Sequence, residues 1–165
     1  MKNALLGLFL VLSAGAVAAQ NAPTATFQQA FAAGQAAEES EHWEQAEVSY
    51  AICLVQAPAD TTALKNHAYA ATNSLSRHTR KPDSAAQPDY LPLAVKDYDA
   101  LVAAGRVRYL LDKALAYGTR AEASDPAEAT QLVSQALAAV GEYEQRGKPD
   151  VHSKEVRKAL QAIRK

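Results

Sequence analysis

The chain has 165 residues, with 17 lysines and arginines against 18 acids and a formal net charge of -1 at pH 7. It therefore lacks the cationic excess by which proteins hold nucleic acid, and no nucleic-acid partner is expected. Hydrophobic residues make up 48% of it, alanine being the commonest of them, while phenylalanine is scarce and there is one tryptophan; this favours helices packed closely around a shallow core. The single cysteine, Cys53, excludes an intramolecular disulfide.

Residues 1–19 have the layout of a secretory signal peptide. Lys2 supplies the positive start, Leu5 to Leu12 the apolar stretch, and Ser13 to Ala19 a small-residue run with overlapping A-x-A sites. Cleavage is expected after Ala18 or Ala19, placing the rest of the chain in the periplasm or outside the cell. The apolar stretch falls well short of the ~20 residues needed to span a bilayer.

The remainder, residues 24–165, is expected to be a single all-α domain of about seven helices, because apolar residues recur with helical period throughout and nothing alternates with the period of a strand. Thr26-Phe27-Gln28-Gln29 has the form of a capping box and predicts a first helix to Ser40. A second helix is expected from Trp43 to just before Pro58, with Val48, Ala51, Ile52 and Val55 at helical spacing. Asp60 is placed to cap a third, whose apolar stripe is Leu64, Ala68, Ala71 and Leu75.

Residues 76–89, with two prolines and a basic cluster, predict a long loop. Pro92 suits the first turn of a fourth helix that buries Val95, Tyr98, Leu101 and Val102. Periodicity resumes at Val107 and runs to about Ala121, with Gly105 either ending the fourth helix or lying within a longer one. Asp125-Pro126 opens a sixth helix that should stop near Arg146-Gly147. The helical part thus spans 90–146, and residues 150–165 form a basic amphipathic helix carrying Val156, Leu160 and Ile163.

The stretch from Phe27 to Asp60 resembles a tetratricopeptide repeat, a helical hairpin of roughly 34 residues in which small residues admit close helix approach and a proline closes the second helix. Gly34 and Ala46 fall on the small positions, Tyr50 on the aromatic slot, Cys53 on the small buried slot and Pro58 on the closing proline. Ala30, Ala33 and Ala37 stand where the family favours larger residues. The repeat-like part covers residues 24–75: Leu64, Ala68 and Ala71 fit a second first-helix, whose partner would fall in the proline-broken loop.

The resemblance implies a protein-interaction module with a groove on the inner helix faces. Its positions map onto Gln28, Phe31, Gln35, Glu38 and Glu39 of the first helix and Lys65, Tyr69, Thr72 and Asn73 of the third. Either this groove is open to a protein or peptide partner in the cell envelope, or later helices cover part of it. A second function class is contact with an anionic lipid or polymer surface through Lys154, Arg157, Lys158, Arg164 and Lys165.

Catalytic chemistry finds little support, and no cofactor is expected. Glu39-x-x-His42 has a spacing found in di-iron bundles, but it occurs once and at a helix turn. His67 lies beside an apolar stripe and reads as a satisfied packing residue, Cys53 as core. The acidic run Glu38 to Glu47 reads as a solvated edge. An enzyme or metal site assembled from distant residues is the third and weakest class.

Overall fold

The computed structural model describes residues 24–80, 88–147 and 149–163. The signal-peptide segment lies outside these residues, as do Arg164 and Lys165 of the basic patch. Among the described residues there are seven helices and no strand: α1 (Ala25–Glu39), α2 (Trp43–Gln56), α3 (Thr61–Arg80), α4 (Tyr90–Ala103), α5 (Tyr109–Ala121), α6 (Pro126–Arg146) and α7 (Val151–Ile163). The chain is all-α, as its composition dictates.

The helices form three successive hairpins, α1 with α2, α3 with α4 and α5 with α6. Each second helix packs on the first helix of the next pair: α2 on α3, α4 on α5, and α6 on α7. The odd-numbered helices α3, α5 and α7 also touch in series. The partner of α3 is thus α4, which lies beyond the proline-containing segment and not within it.

Side-chain caps set most of the boundaries. Asp60 Oδ1 accepts from the amides of Thr62 and Ala63, and Asp125 Oδ1 from those of Ala127 and Glu128. At α7 Asp150 and Ser153 cap reciprocally, each side chain accepting from the other's amide. The first helix is capped by Thr24, whose hydroxyl accepts from Phe27, and not by Thr26, which is already in the helix. The capping threonine stands three residues before a buried apolar residue, so Phe27 selects it.

Two helices end in the left-handed region. Gly105 has φ 82 and closes α4, with Arg106 N–H donating to Leu101 across it. Glu41 has φ 55 in the equivalent position after α1, where His42 N–H donates to Ala37. Glycine suits such a position; glutamate is held there against its preference by the tight turn between the first two helices.

Residues 81–87 of the loop expected at 76–89 lie outside the described residues, and the loop does not begin at Ser76, because α3 continues to Arg80. Its last turns have partners: the His78 ring stacks on Tyr90 of α4 at 5.5 Å and lies 3.3 Å from Glu44 of α2. Pro92 sits in the first turn of α4, where a missing amide hydrogen costs nothing. Within α4, Val95 is only half-buried, and Ala94 and Asp97 turn inward with Tyr98, Leu101 and Val102.

The apolar stripe of α2 faces outward. Val48, Ile52 and Val55 are 58%, 44% and 85% exposed, while Ala46, Tyr50 and Cys53 are wholly buried. Close approach of α1 decides the matter. A Cβ on Gly34 would come within 2.6 Å of the Tyr50 ring, so the glycine is what lets the tyrosine lie in the seam. Phe31 meets the same ring edge-on at 5.5 Å.

Leu64, Ala68, Ala71 and Leu75 of α3 pack with Tyr90, Ala94, Tyr98 and Leu101 of α4. The larger core lies between α5, α6 and α7, where Leu110, Ala114, Leu132, Val133, Val140 and Leu160 meet. Gly118 admits Leu160 there, a Cβ on it lying only 2.8 Å from the leucine.

Candidate functional site

A trough of about 510 Å³ opens between α1, α3 and α5. From α1 come Gln35 and Glu38; from α3 come Lys65, Asn66 and Tyr69. Tyr98 of α4 lines its floor, and Arg108, Tyr109 and Asp112 supply the opposite wall at the start of α5. Four of the nine groove positions expected from the repeat resemblance, Gln35, Glu38, Lys65 and Tyr69, therefore converge on one concavity. The later helices α4 and α5 add Tyr98, Arg108, Tyr109 and Asp112 to this face.

The other five positions part company. Glu39 is exposed and outside the trough, and the half-buried Thr72 hydroxyl donates to the Ala68 carbonyl and lies against the Tyr98 hydroxyl of α4. Phe31 is half-buried, packed between Phe27 and Tyr50. Gln28 is exposed and outside the trough. Asn73 lies one turn further along α3, in a separate polar hollow with Trp43, Arg77 and Arg80. Trp43 meets Tyr69 edge-on at 5.6 Å, which joins the two hollows through one aromatic pair.

Beside the trough is a second hollow of about 450 Å³, which shares Lys65, Arg108 and Tyr109 with it and adds Thr61, Thr62 and Arg106. Residues 106–112 carried no repeat signature, and α5 was not aligned with the family's inner face. A signal was nonetheless present: two arginines flank a single valine just after a helix-ending glycine.

The hydrogen bonds behind the trough fix its walls. The Tyr50 hydroxyl donates to Glu38 Oε2 at 2.5 Å, tying α1 to α2. Burial and then the Glu38 carboxylate push this hydroxyl well above the ordinary phenol range, so it stays a donor. The Tyr98 hydroxyl lies 3.1 Å from Thr72 Oγ1, and its ring stacks on Tyr109 at 6.2 Å. Burial raises the Asp112 carboxyl, with Arg108 opposing that rise.

Behind α3 is a buried polar cluster. His67, its side chain 7% exposed, hydrogen-bonds Asp97 of α4 through Nδ1 and lies 3.0 Å from Glu47 of α2 through Nε2. Burial alone would push the imidazolium down, but the hydrogen bonds and charges of Asp97 and Glu47 more than offset this and raise it to about 9. The ring is doubly protonated at neutral pH and donates to both carboxylates, so three helices share one proton-dependent fastening.

This cluster's three members tie α2, α3 and α4 together, and none of them lines the trough or the hollow beside it. It also corrects the expected solvated edge: Glu38, Glu44 and Glu47 are turned to Tyr50, to Arg77 and His78, and to His67. Of the acids in that run, Glu39 and Glu41 are left exposed on the edge. Among the described residues no group of three His, Cys, Asp or Glu side chains is placed to hold a metal ion. His42 is exposed in the α1–α2 turn, and Cys53 is wholly buried with its thiol 3.6 Å from the Phe27 carbonyl.

The C-terminal basic patch is divided. Arg157 is engaged by Glu144 at 2.6 Å, while Lys154 and Lys158 are exposed. Val156 and Leu160 are buried against the third hairpin. The apolar face that an interfacial helix would insert into lipid is thus already occupied by protein.

No protein-family model matches the chain, and no curated protein or solved structure matches it.

Proposed function

We propose that this chain is an exported, non-catalytic interaction module that receives an extended segment of an envelope protein or peptide in the trough between α1, α3 and α5, in the manner of tetratricopeptide-repeat proteins. The observation that carries this reading is the convergence of Gln35, Glu38, Lys65, Asn66, Tyr69 and Arg108 on one open concavity of three serial hairpins. Amide, hydroxyl and charged side chains around aromatic rings can hydrogen-bond a peptide backbone while giving its side chains apolar contact. The signal-peptide pattern of residues 1–19 supports export, and residues 1–19 are absent from the mature module in this reading.

A photo-crosslinking amino acid at position 69, compared with one at Gln135 on the exposed face of α6, tests the proposal in producing cells. Discrete adducts from position 69 that are missing from position 135 are the expected result. Identical adduct patterns, or none from position 69, would refute use of the trough. Processing after Ala18 or Ala19 is checked by the N-terminal mass of the exported protein; a retained Met1 would refute export by cleavage.

A further inference from the structure

The two hollows adjoin across Lys65, Arg108 and Tyr109, which line both, and the charge of this combined cleft is not evenly spread. At one end Lys65, Arg106 and Arg108 converge from α3 and from the connector between α4 and α5. All three are exposed, and none has a carboxylate within ion-pair distance among the described residues. The acids of the cleft lie in the other hollow. Glu38 is engaged by Tyr50, and Asp112, whose carboxyl is raised by burial against the opposing charge of Arg108, stands outside ion-pair distance of that arginine.

Of the seven described arginines, Arg77, Arg120, Arg146 and Arg157 each have a carboxylate partner, whereas Arg106 and Arg108 have none and share one hollow with Lys65. Three cations that are left unpaired around one concavity create a local positive potential that the near-neutral net charge conceals. The hydroxyls of Thr61 and Thr62 border the same end. Beyond Lys65 the cleft changes character, with the stacked rings of Tyr98 and Tyr109 and the side-chain amides of Gln35 and Asn66.

From this polarity we infer that the cleft selects an acidic peptide: an extended segment with aspartate or glutamate side chains seated on Lys65, Arg106 and Arg108, followed by an apolar residue lying against Tyr98 and Tyr109. The inference rests on the interaction reading above and deepens it by naming the ligand chemistry and its direction in the cleft. Guanidinium forks at Arg106 and Arg108 match carboxylates in pairs, and Lys65 adds a point charge between them. A peptide is favoured over a compact anion because the aromatic and amide part of the cleft offers apolar contact and backbone hydrogen bonds that a compact anion would not use.

The test is to pan a phage-displayed library of random linear peptides on the purified protein and on its Lys65→Glu/Arg106→Glu/Arg108→Glu variant. A Lys154→Glu/Lys158→Glu variant serves as the control for charge elsewhere. The native protein and the control should enrich peptides with clustered acidic residues beside an apolar one, and the triple variant should not. A synthesised enriched peptide should bind about thirtyfold more weakly once its acids are replaced by Asn and Gln.

Enrichment of peptides with no acidic preference overturns this inference while leaving the interaction reading intact. Enrichment of no peptide overturns both. Undiminished acidic binding by the triple variant, with its helical content unchanged by circular dichroism, overturns the site. Displacement of the enriched peptide by inorganic phosphate or polyglutamate in proportion to charge alone would show unspecific attraction, and overturns it too.

Discussion

Raising the pH from about 6 to about 9.5 removes the proton that His67 shares with Glu47 and Asp97, and the fold should lose about 3 kcal/mol as a result. An imidazole in the unfolded chain titrates near 6.5, and His67 in the fold at about 9. Because the folded value is the higher, the contribution is complete below about 6.5 and is lost as the pH rises through about 9. Each pH unit between the two is worth about 1.4 kcal/mol, which sets the total at about 3 kcal/mol. With a side chain only 7% exposed, His67 is little screened by solvent.

Urea denaturation at steps across this range measures the effect on the native protein and on His67→Gln. The variant should be less stable at pH 6, where it leaves two buried carboxylates without their cation, and the gap should shrink by about 3 kcal/mol by pH 9.5. Burial also raises the Cys53 thiol, so stability should fall further above about pH 8.5, but this loss is common to both proteins and cancels in the difference. Parallel curves for the two proteins, or a His67 ring that titrates at or below about 6.5 by NMR, would refute the reasoning.

Gly34→Ala should cost about 1–2 kcal/mol, since overpacking against the Tyr50 ring outweighs the better helix propensity of alanine; an unchanged melting temperature would contradict the seam described for α1 and α2. The two left-handed helix ends should respond in opposite directions. Glu41→Gly is expected to gain up to about 1 kcal/mol and Gly105→Ala to lose about as much, and equal signs in a denaturant titration would overturn the αL assignment. Val55→Lys should change stability by no more than about 0.5 kcal/mol, whereas a loss above about 2 kcal/mol in the same titration would place the α2 stripe in a core.

The helices were largely legible because their boundaries are written in single residues: Asp60, Asp125-Pro126 and Gly105 each fix a terminus by a local bond or a local dihedral. The faces were less legible. In α2 the large aliphatic residues Val48, Ile52 and Val55 make the stronger pattern, yet the buried side is Ala46, Tyr50 and Cys53, because close packing against Gly34 rewards small residues and one ring. The end of α3 was hidden for a similar reason. Its last turns are held by His78 on Tyr90 and by Glu44, contacts that no residue pattern within 76–80 contains.

The His67 cluster joins residues separated by 20 and 30 positions, so spacing could not reveal it. What the sequence did carry was Asp97 set among Ala94, Tyr98 and Leu101 on the buried face of α4. A carboxylate in that position requires a partner, and His67 on the apolar side of the preceding helix is the available cation. The trough was half legible. The hairpin pattern supplied its α1 and α3 walls, while Arg108, Tyr109 and Asp112 belong to a helix that carried no repeat signature and could be placed only by the fold.

The circumference of α3 explains why the trough lies where it does. Leu64, Ala68, Ala71 and Leu75 face α4 and α5, Ala63 and Ala70 meet α1 and α2, and His67 is fastened between α2 and α4. Successive residues turn by about 100°, so Lys65 and Tyr69 lie roughly opposite His67, on the one strip that these contacts leave uncovered. Alanine makes this possible: small side chains let neighbouring helices approach from three sides without lengthening the span between them. The exposed strip of α3 is thus held from behind by an ion cluster and from both flanks by packing. A polar surface fixed in this way gives up little conformational entropy when it binds, which is the condition under which scattered polar contacts to an extended peptide add up to useful affinity.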